Sequence, residues 1–201
     1  MYEVLLILAI ISIIIYLYVS SYKPSLVYVR SDVDKNIYIV RNLENKKKAA
    51  NTLAKVRIKL DELCEKLKNK FGKGDKRVNL LLKRFNSNEL RESLPRGKQT
   101  SYSINKGEKV VICLRSRNKN ETITDVNTLT FVAIHELAHV MSISVGHNTE
   151  FWNNFRFLLA HAIHWKIYKP QDFEKTPKKY CGLTITSSPL ALTDLQKYIN
   201  F

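Results

Sequence analysis

The chain has 201 residues, enough for one domain with a real core but tight for two. Its 45% hydrophobic and 25% charged content are ordinary for a globular protein. The net charge of +15 is far from balanced, and residues 1–22 carry only Glu3, so the remainder carries +16. A body this basic is drawn to polyanions, either nucleic acid or anionic lipid. The bland alternative is a solvated, soluble surface.

Residues 2–19, YEVLLILAIISIIIYLYV, are apolar apart from Glu3 and Ser12. A helix of that length covers most of a ~30 Å hydrocarbon layer. Tyr16, Tyr18 and Tyr22 cluster at one end as interfacial aromatics do, and Lys23 and Pro24 close the segment. No basic residue precedes the run, so it reads as an anchor (1–22) rather than a cleaved signal. The positive charges all follow it, which predicts a single-pass protein with its body (23–201) on the cytoplasmic side of a host or virion membrane. Cys64, Cys113 and Cys181 are odd in number and scattered, which reads as unpaired thiols in a reducing compartment.

LVYVR (26–30) and IYIVR (37–41) read as a hairpin around SDVDKN. Ala49, Leu53, Val56, Leu60, Leu63, Leu67 and Phe71 recur every three or four residues, predicting an amphipathic helix over 45–71 that ends at Gly72. Its other face is rich in lysine. A short helix over about 76–85 follows, then a loop holding Pro95 and Gly97. YSI and VVICLR, joined through NKGEK within 101–115, form a second predicted hairpin. Thr124 or Asp125 can cap a helix through TLTFVAIHELAHVMSI, and Asn148 or Thr149 can cap another from Glu150 to about Ile167. Phe151, Phe155, Leu158, Leu159, Ala162 and Ile163 form the buried stripe of that last helix. The tail from about 168 holds Pro170, Pro177 and Pro189 and is expected to be largely irregular. The fold class is α+β.

The chemistry concentrates in HELAHVMSISVGHNTEFW, residues 135–152. His135 and His139 are four apart, so on a helix they project from one face and can grip one ion. Glu136 lies about 100° around, able to reach a metal-bound water without binding the metal. Average composition would yield such a pattern by chance in roughly one chain of this size in a hundred. Here it falls on an apolar predicted helix, with the strand VVICLR upstream where a zincin aligns its substrate. The implied cofactor is Zn2+, the implied base Glu136, and the reaction hydrolysis of a protein or peptide substrate.

A catalytic zinc needs three protein ligands and one open position. His147 follows His139 by eight residues, directly behind Gly146, which lets the chain turn back. Glu150, one turn further on, is its chief rival. His161 and His164 lie opposite the apolar stripe and read as exposed or partner-binding. Tyr180 can donate a hydrogen bond to an oxyanion, although packing is its more ordinary role. Two readings of other classes stand beside the peptidase. One is a non-catalytic zinc staple closed by Cys181 or Glu150, and the other a polyanion-binding membrane protein working through its lysine-faced helix.

His135-Glu-Leu-Ala-His139 followed by Gly146-His147-Asn-Thr-Glu-Phe151-Trp152 resembles the Wss1-like (WLM) and SprT-like zinc metallopeptidases over about residues 125–165. The resemblance implies a compact zincin with His135, His139 and His147 as zinc ligands and Glu136 as catalytic base. It also implies proteolysis of proteins attached to DNA. The stretch between His139 and His147 is somewhat longer than the WLM pattern. With its N-terminal segment and its YCGLTIT tail, the whole chain looks most like a metallopeptidase-like family of large DNA viruses.

Overall fold

A computed structural model describes residues 2–21, 25–72, 74–94 and 100–199. Its first element is helix α1 (Tyr2–Ser21). Among the described residues, no helix is long and apolar enough to cross a membrane. That finding overturns the single-pass anchor, together with the membrane-bound, cytoplasmic placement of the body that rested on it. A ~30 Å layer asks for about 20 consecutive apolar residues. The sequence here is broken by Glu3 in the first turn, Ser12 midway and Ser20 and Ser21 at the end. None of the described α1 side chains joins the hydrophobic core. Tyr22, Lys23 and Pro24 lie outside the described residues.

The predicted first hairpin forms as β1 (Leu26–Arg30) and β2 (Ile37–Arg41), paired antiparallel. Its turn is held by Asp34, whose carboxylate accepts from the Asn36 backbone at 3.1 Å and from the Tyr38 hydroxyl at 2.6 Å. Helix α2 (Lys46–Phe71) buries Ala49, Leu53, Val56, Leu60, Leu63 and Leu67 completely, as their spacing requires. It ends on Gly72, with φ +49°. Several lysines on its outer face are tethered: Lys47 donates to the Arg30 carbonyl at 2.8 Å and Lys70 to that of Ile199 at 2.7 Å. Helix α3 (Lys76–Arg84) is capped by Asp75 and leads through a 3-10 turn (Ser87–Glu89) into β3 (Leu90–Glu92). The predicted loop at Pro95 and Gly97 lies outside the described residues.

The second hairpin is β4 (Tyr102–Ile104) and β5 (Lys109–Ile112), turned by Asn105, Lys106 and Gly107, all at positive φ. Strand β3 adds to β5 in parallel, so the order is β3-β5-β4 and VVI occupies the centre. Beside this small sheet packs α4 (Val126–Met141), and α5 (Thr149–His164) packs on α4. Helix α4 is enclosed by α2, α3 and α5, which explains why every residue from Leu129 to Ile134 is buried, Thr130 among them with its hydroxyl donating to the Val126 carbonyl.

The tail is more ordered than its prolines suggest. It forms a hairpin of β6 (Lys178–Tyr180) and β7 (Leu183–Ile185), a 3-10 turn (Leu192–Asp194) and a short α6 (Gln196–Ile199). Pro170 and Pro177 precede β6 and Pro189 lies between β7 and the 3-10 turn, so none falls inside an element. A disulfide joins Cys113, just past β5, to Cys181 in the β6–β7 turn, with 6.1 Å between their Cα atoms. It corrects the expectation of unpaired thiols for Cys113 and Cys181, and removes the basis on which a reducing compartment was expected. Two cysteines 68 residues apart meet only because the tail folds back to the residues flanking β4 and β5. Cys64 alone remains free, and burial pushes its thiol up to about 12.

Candidate metal centre

Helix α4 starts at Asp125, whose side chain accepts from the Thr128 backbone at 2.9 Å and its hydroxyl at 2.8 Å. Its last turn is pinned from outside. Arg84 donates to the Val140 and Ser142 carbonyls at 3.1 and 2.9 Å, and Lys106 reaches the Ser144 carbonyl at 2.6 Å. These cations satisfy carbonyls that a helix end leaves without partners. At Gly107 a Cβ would meet Val140 Cγ1 at 2.7 Å, so the β4–β5 turn packs directly on the histidine-bearing helix.

After α4 the chain turns at Gly146, φ +87°, and returns His147 toward the helix. Nothing crowds Gly146, so backbone conformation and not space calls for glycine there. His147 Nε2 then lies 3.1 Å from the Nε2 atoms of both His135 and His139. Ligand atoms of the three residues all fall within 4.8 Å of one another. Four ligands around zinc at ~2.0–2.1 Å stand roughly 3.3 Å apart, so the cluster has the dimensions of a metal site. Three ring nitrogens aimed at one point cannot satisfy each other with protons alone, whereas one cation satisfies all three.

The aromatic pair behind the motif builds the nest. Phe151 stacks on the His139 ring at 4.2 Å between centroids and meets those of His135 and His147 at 4.8 and 4.6 Å. Trp152 packs on His147 at 5.8 Å, and Asn148 caps α5 by accepting from the Phe151 backbone at 3.1 Å. Burial, then the neighbouring imidazoles, pushes His135 down to about 3. Burial, then His147 and Lys106, takes His139 down to about 4. Both rings are therefore neutral at pH 7, the form that binds a metal.

Glu136 projects from the same helix and is 4% exposed; burial pushes its carboxyl up to about 8. Glu150 does something else. Its carboxylate accepts from the Ile143 and Ser144 backbones at 2.8 and 2.9 Å and from the Ser144 hydroxyl, tying down the loop that carries His147. Those bonds hold it below the ordinary carboxylate range.

The site opens into a cleft of about 1160 Å³. The sequence pattern points to VVICLR as the strand beside it, but β5 is the central strand, and edge strand β4 is the one whose residues line the cleft. Tyr180 also lines it, though nothing local in the sequence announces this. Its buried hydroxyl lies 2.6 Å from Ser101 Oγ, which also accepts from the Cys113 backbone at 3.0 Å. Burial raises Tyr180 well above the ordinary phenol range. His161 differs from its expectation: it is wholly buried, with Nδ1 2.8 Å from the Phe157 carbonyl, because α6 and α2 cover the face of α5 that its pattern leaves exposed. His164 is exposed. Neither joins the three-histidine cluster.

An α+β chain that gathers three imidazoles beside a buried carboxylate belongs to the metal-competent class of proteins. By family it is a WLM protein: the chain belongs to the WLM domain family, whose pattern matches residues 33–198. It is 36% identical over 186 residues to an uncharacterized protein of Acanthamoeba polyphaga mimivirus, covering 91% of this chain and 93% of that relative. A shorter match, 33% over 82 residues, relates 40% of the chain to 44% of an uncharacterized protein of Invertebrate iridescent virus 6. Among solved structures, Wss1 from Saccharomyces cerevisiae is similar at TM-score 0.46 and 18% identity, over 61% of this chain and 84% of that one.

Proposed function

We propose that this protein is a zinc-dependent endopeptidase, with His135, His139 and His147 holding the metal and Glu136 as general base. The observation that carries the reading is the convergence of three Nε2 atoms next to a buried carboxylate, at the floor of an open cleft. The three imidazoles would hold a zinc ion, which when bound would polarise a carbonyl and lower the pKa of water toward about 7. Glu136 takes the proton from the attacking water and returns it to the leaving amine. Burial that pushes its carboxyl up to about 8 leaves both protonation states within reach near neutral pH, as a group that first takes and then returns a proton requires. The Tyr180 hydroxyl, facing the same cleft, donates to the oxygen on which negative charge develops. Edge strand β4 offers backbone groups along which an extended peptide can align.

A purely structural zinc site calls for a fourth side chain. Cys181 is committed to its disulfide and Glu150 to loop amides, so neither candidate staple is at hand. The test measures zinc content and cleavage of an unfolded protein substrate. Glu136→Gln keeps zinc and loses roughly a hundredfold or more in cleavage rate. His147→Ala loses zinc, whereas Glu150→Gln keeps it. Cleavage by Glu136→Gln at the wild-type rate ends the peptidase reading, and undiminished zinc affinity in His147→Ala refutes the ligand assignment.

A further inference from the structure

Three cationic side chains from separate elements line the cleft around the histidines. Lys106 comes from the β4–β5 turn, Arg117 from the loop after β5, and Arg156 from α5. Glu136, deeply buried, is the one acidic lining residue among those described. Several arginines elsewhere pair with carboxylates, as in Arg57–Asp34, Arg77–Asp75, Arg115–Glu92 and Arg41–Glu121, whereas Arg84 donates to backbone carbonyls. Arg156 is of the second kind, and it lines the cleft. It donates to the Pro189 carbonyl at 2.9 Å and to Asn153 Oδ1 at 3.3 Å, both neutral acceptors. Lys106 likewise spends its hydrogen bonds on the carbonyls of Ser142, Ile143 and Ser144. The Glu150 carboxylate stands near it and partly offsets its charge while holding the Ile143 and Ser144 amides, which leaves Arg156 as the stronger of the two.

We infer that the cleft selects peptide segments carrying Asp or Glu on either side of an apolar residue, through Arg156 and Lys106. The inference rests on the endopeptidase reading and names its substrate class. These two cations are half-buried in a concave wall, where a carboxylate feels their charge with less screening than on an open surface. A dication among three neutral imidazoles adds to the positive field. Phe155, Trp152, Leu183 and Ile185 line the same cleft and offer an apolar side chain its own place. A nucleic-acid strand presents phosphates at a regular spacing and is met by a continuous cationic track. Here a few discrete charges share the cleft with apolar side chains, which fits separated carboxylates better.

The experiment uses the full chain carrying Glu136→Gln, so that bound peptides survive. Short dye-labelled peptides share one apolar core and differ only in flanking Glu, Gln or Lys; binding is read by fluorescence anisotropy. The Glu peptide binds about tenfold more tightly than the Gln peptide at low salt, and the gap narrows as salt is raised. Adding Arg156→Gln removes most of the gap, whereas Arg156→Lys, which keeps the charge, preserves most of it. Equal binding of Glu and Gln peptides, tighter binding of the Lys peptide, or an unchanged gap in Arg156→Gln overturns the inference. So does a single-stranded oligonucleotide that outcompetes the Glu peptide. The same peptides with zinc-loaded wild type separate the two claims. Acid-selective binding without cleavage sinks the peptidase and leaves the selectivity, and cleavage without preference does the reverse.

Discussion

Replacing both bridged cysteines, Cys113→Ala with Cys181→Ala, tests how the tail is held to the site. The bond spans 68 residues, and closing a loop of that length in the unfolded chain corresponds to about 4 kcal/mol of stability. Both cysteines are buried, so the alanines leave small cavities that add to the loss. The assay is urea unfolding in the presence of a chelator, which keeps metal binding out of the comparison. With a denaturant slope of roughly 2 kcal/mol per molar, the midpoint falls by about 2 M. A local consequence accompanies the global one. Tyr180 precedes Cys181 and shares a hydrogen bond with Ser101, so the variant loosens the phenol and exposes it to titration and quenching. Thiol titration of the denatured, unreduced wild type supplies the control, since only Cys64 reacts. Three reactive thiols, or a midpoint that does not move, would overturn this account of the tail.

The Arg115–Glu92 pair is 3% and 1% exposed at 2.6 Å, and Glu92 also accepts from the Arg41 backbone at 2.7 Å. Glu92→Gln strands a buried guanidinium and costs about 3–5 kcal/mol in thermal unfolding, whereas replacing both partners by methionine costs less. Equal losses in the two variants argue against an uncompensated charge as the cause. A milder pH effect follows at the first hairpin. Burial alone raises the Asp34 carboxyl, but hydrogen bonds from Asn36 and Tyr38 and the Arg57 charge outweigh it and hold it below its ordinary value. Its contribution is therefore complete above the ordinary carboxylate pKa and lost as pH falls through the depressed folded value. Asp34→Asn flattens the acid limb of the stability curve, and an unchanged limb rejects the assignment.

Features written in neighbouring residues are legible in the sequence. The stripe of α2, the NKG turn, the caps at Asp125 and Asn148, and the i, i+4 spacing of His135 and His139 each depend on residues within about one turn. Gly146 belongs with them, because its positive φ is a local demand that returns His147 to the helix. Counting apolar letters in the first segment does not suffice for a membrane span, since continuity matters as well as composition.

Contacts closed over long stretches of chain have no local signature. The parallel pairing of β3 with β5, the burial of His161 under α6, and the use of Glu150 to hold a loop all require partners from elsewhere in the fold. The Cys113–Cys181 bond and the arrival of Tyr180 in the cleft are one event, the return of the tail to the residues flanking β4 and β5. Helices, caps and the grouping of histidines that could hold a metal follow from the order of residues alone, because each is set by side chains a few positions apart. What surrounds that chemistry follows from the folded chain, because which distant segments meet depends on the packing of the whole and not on any local pattern.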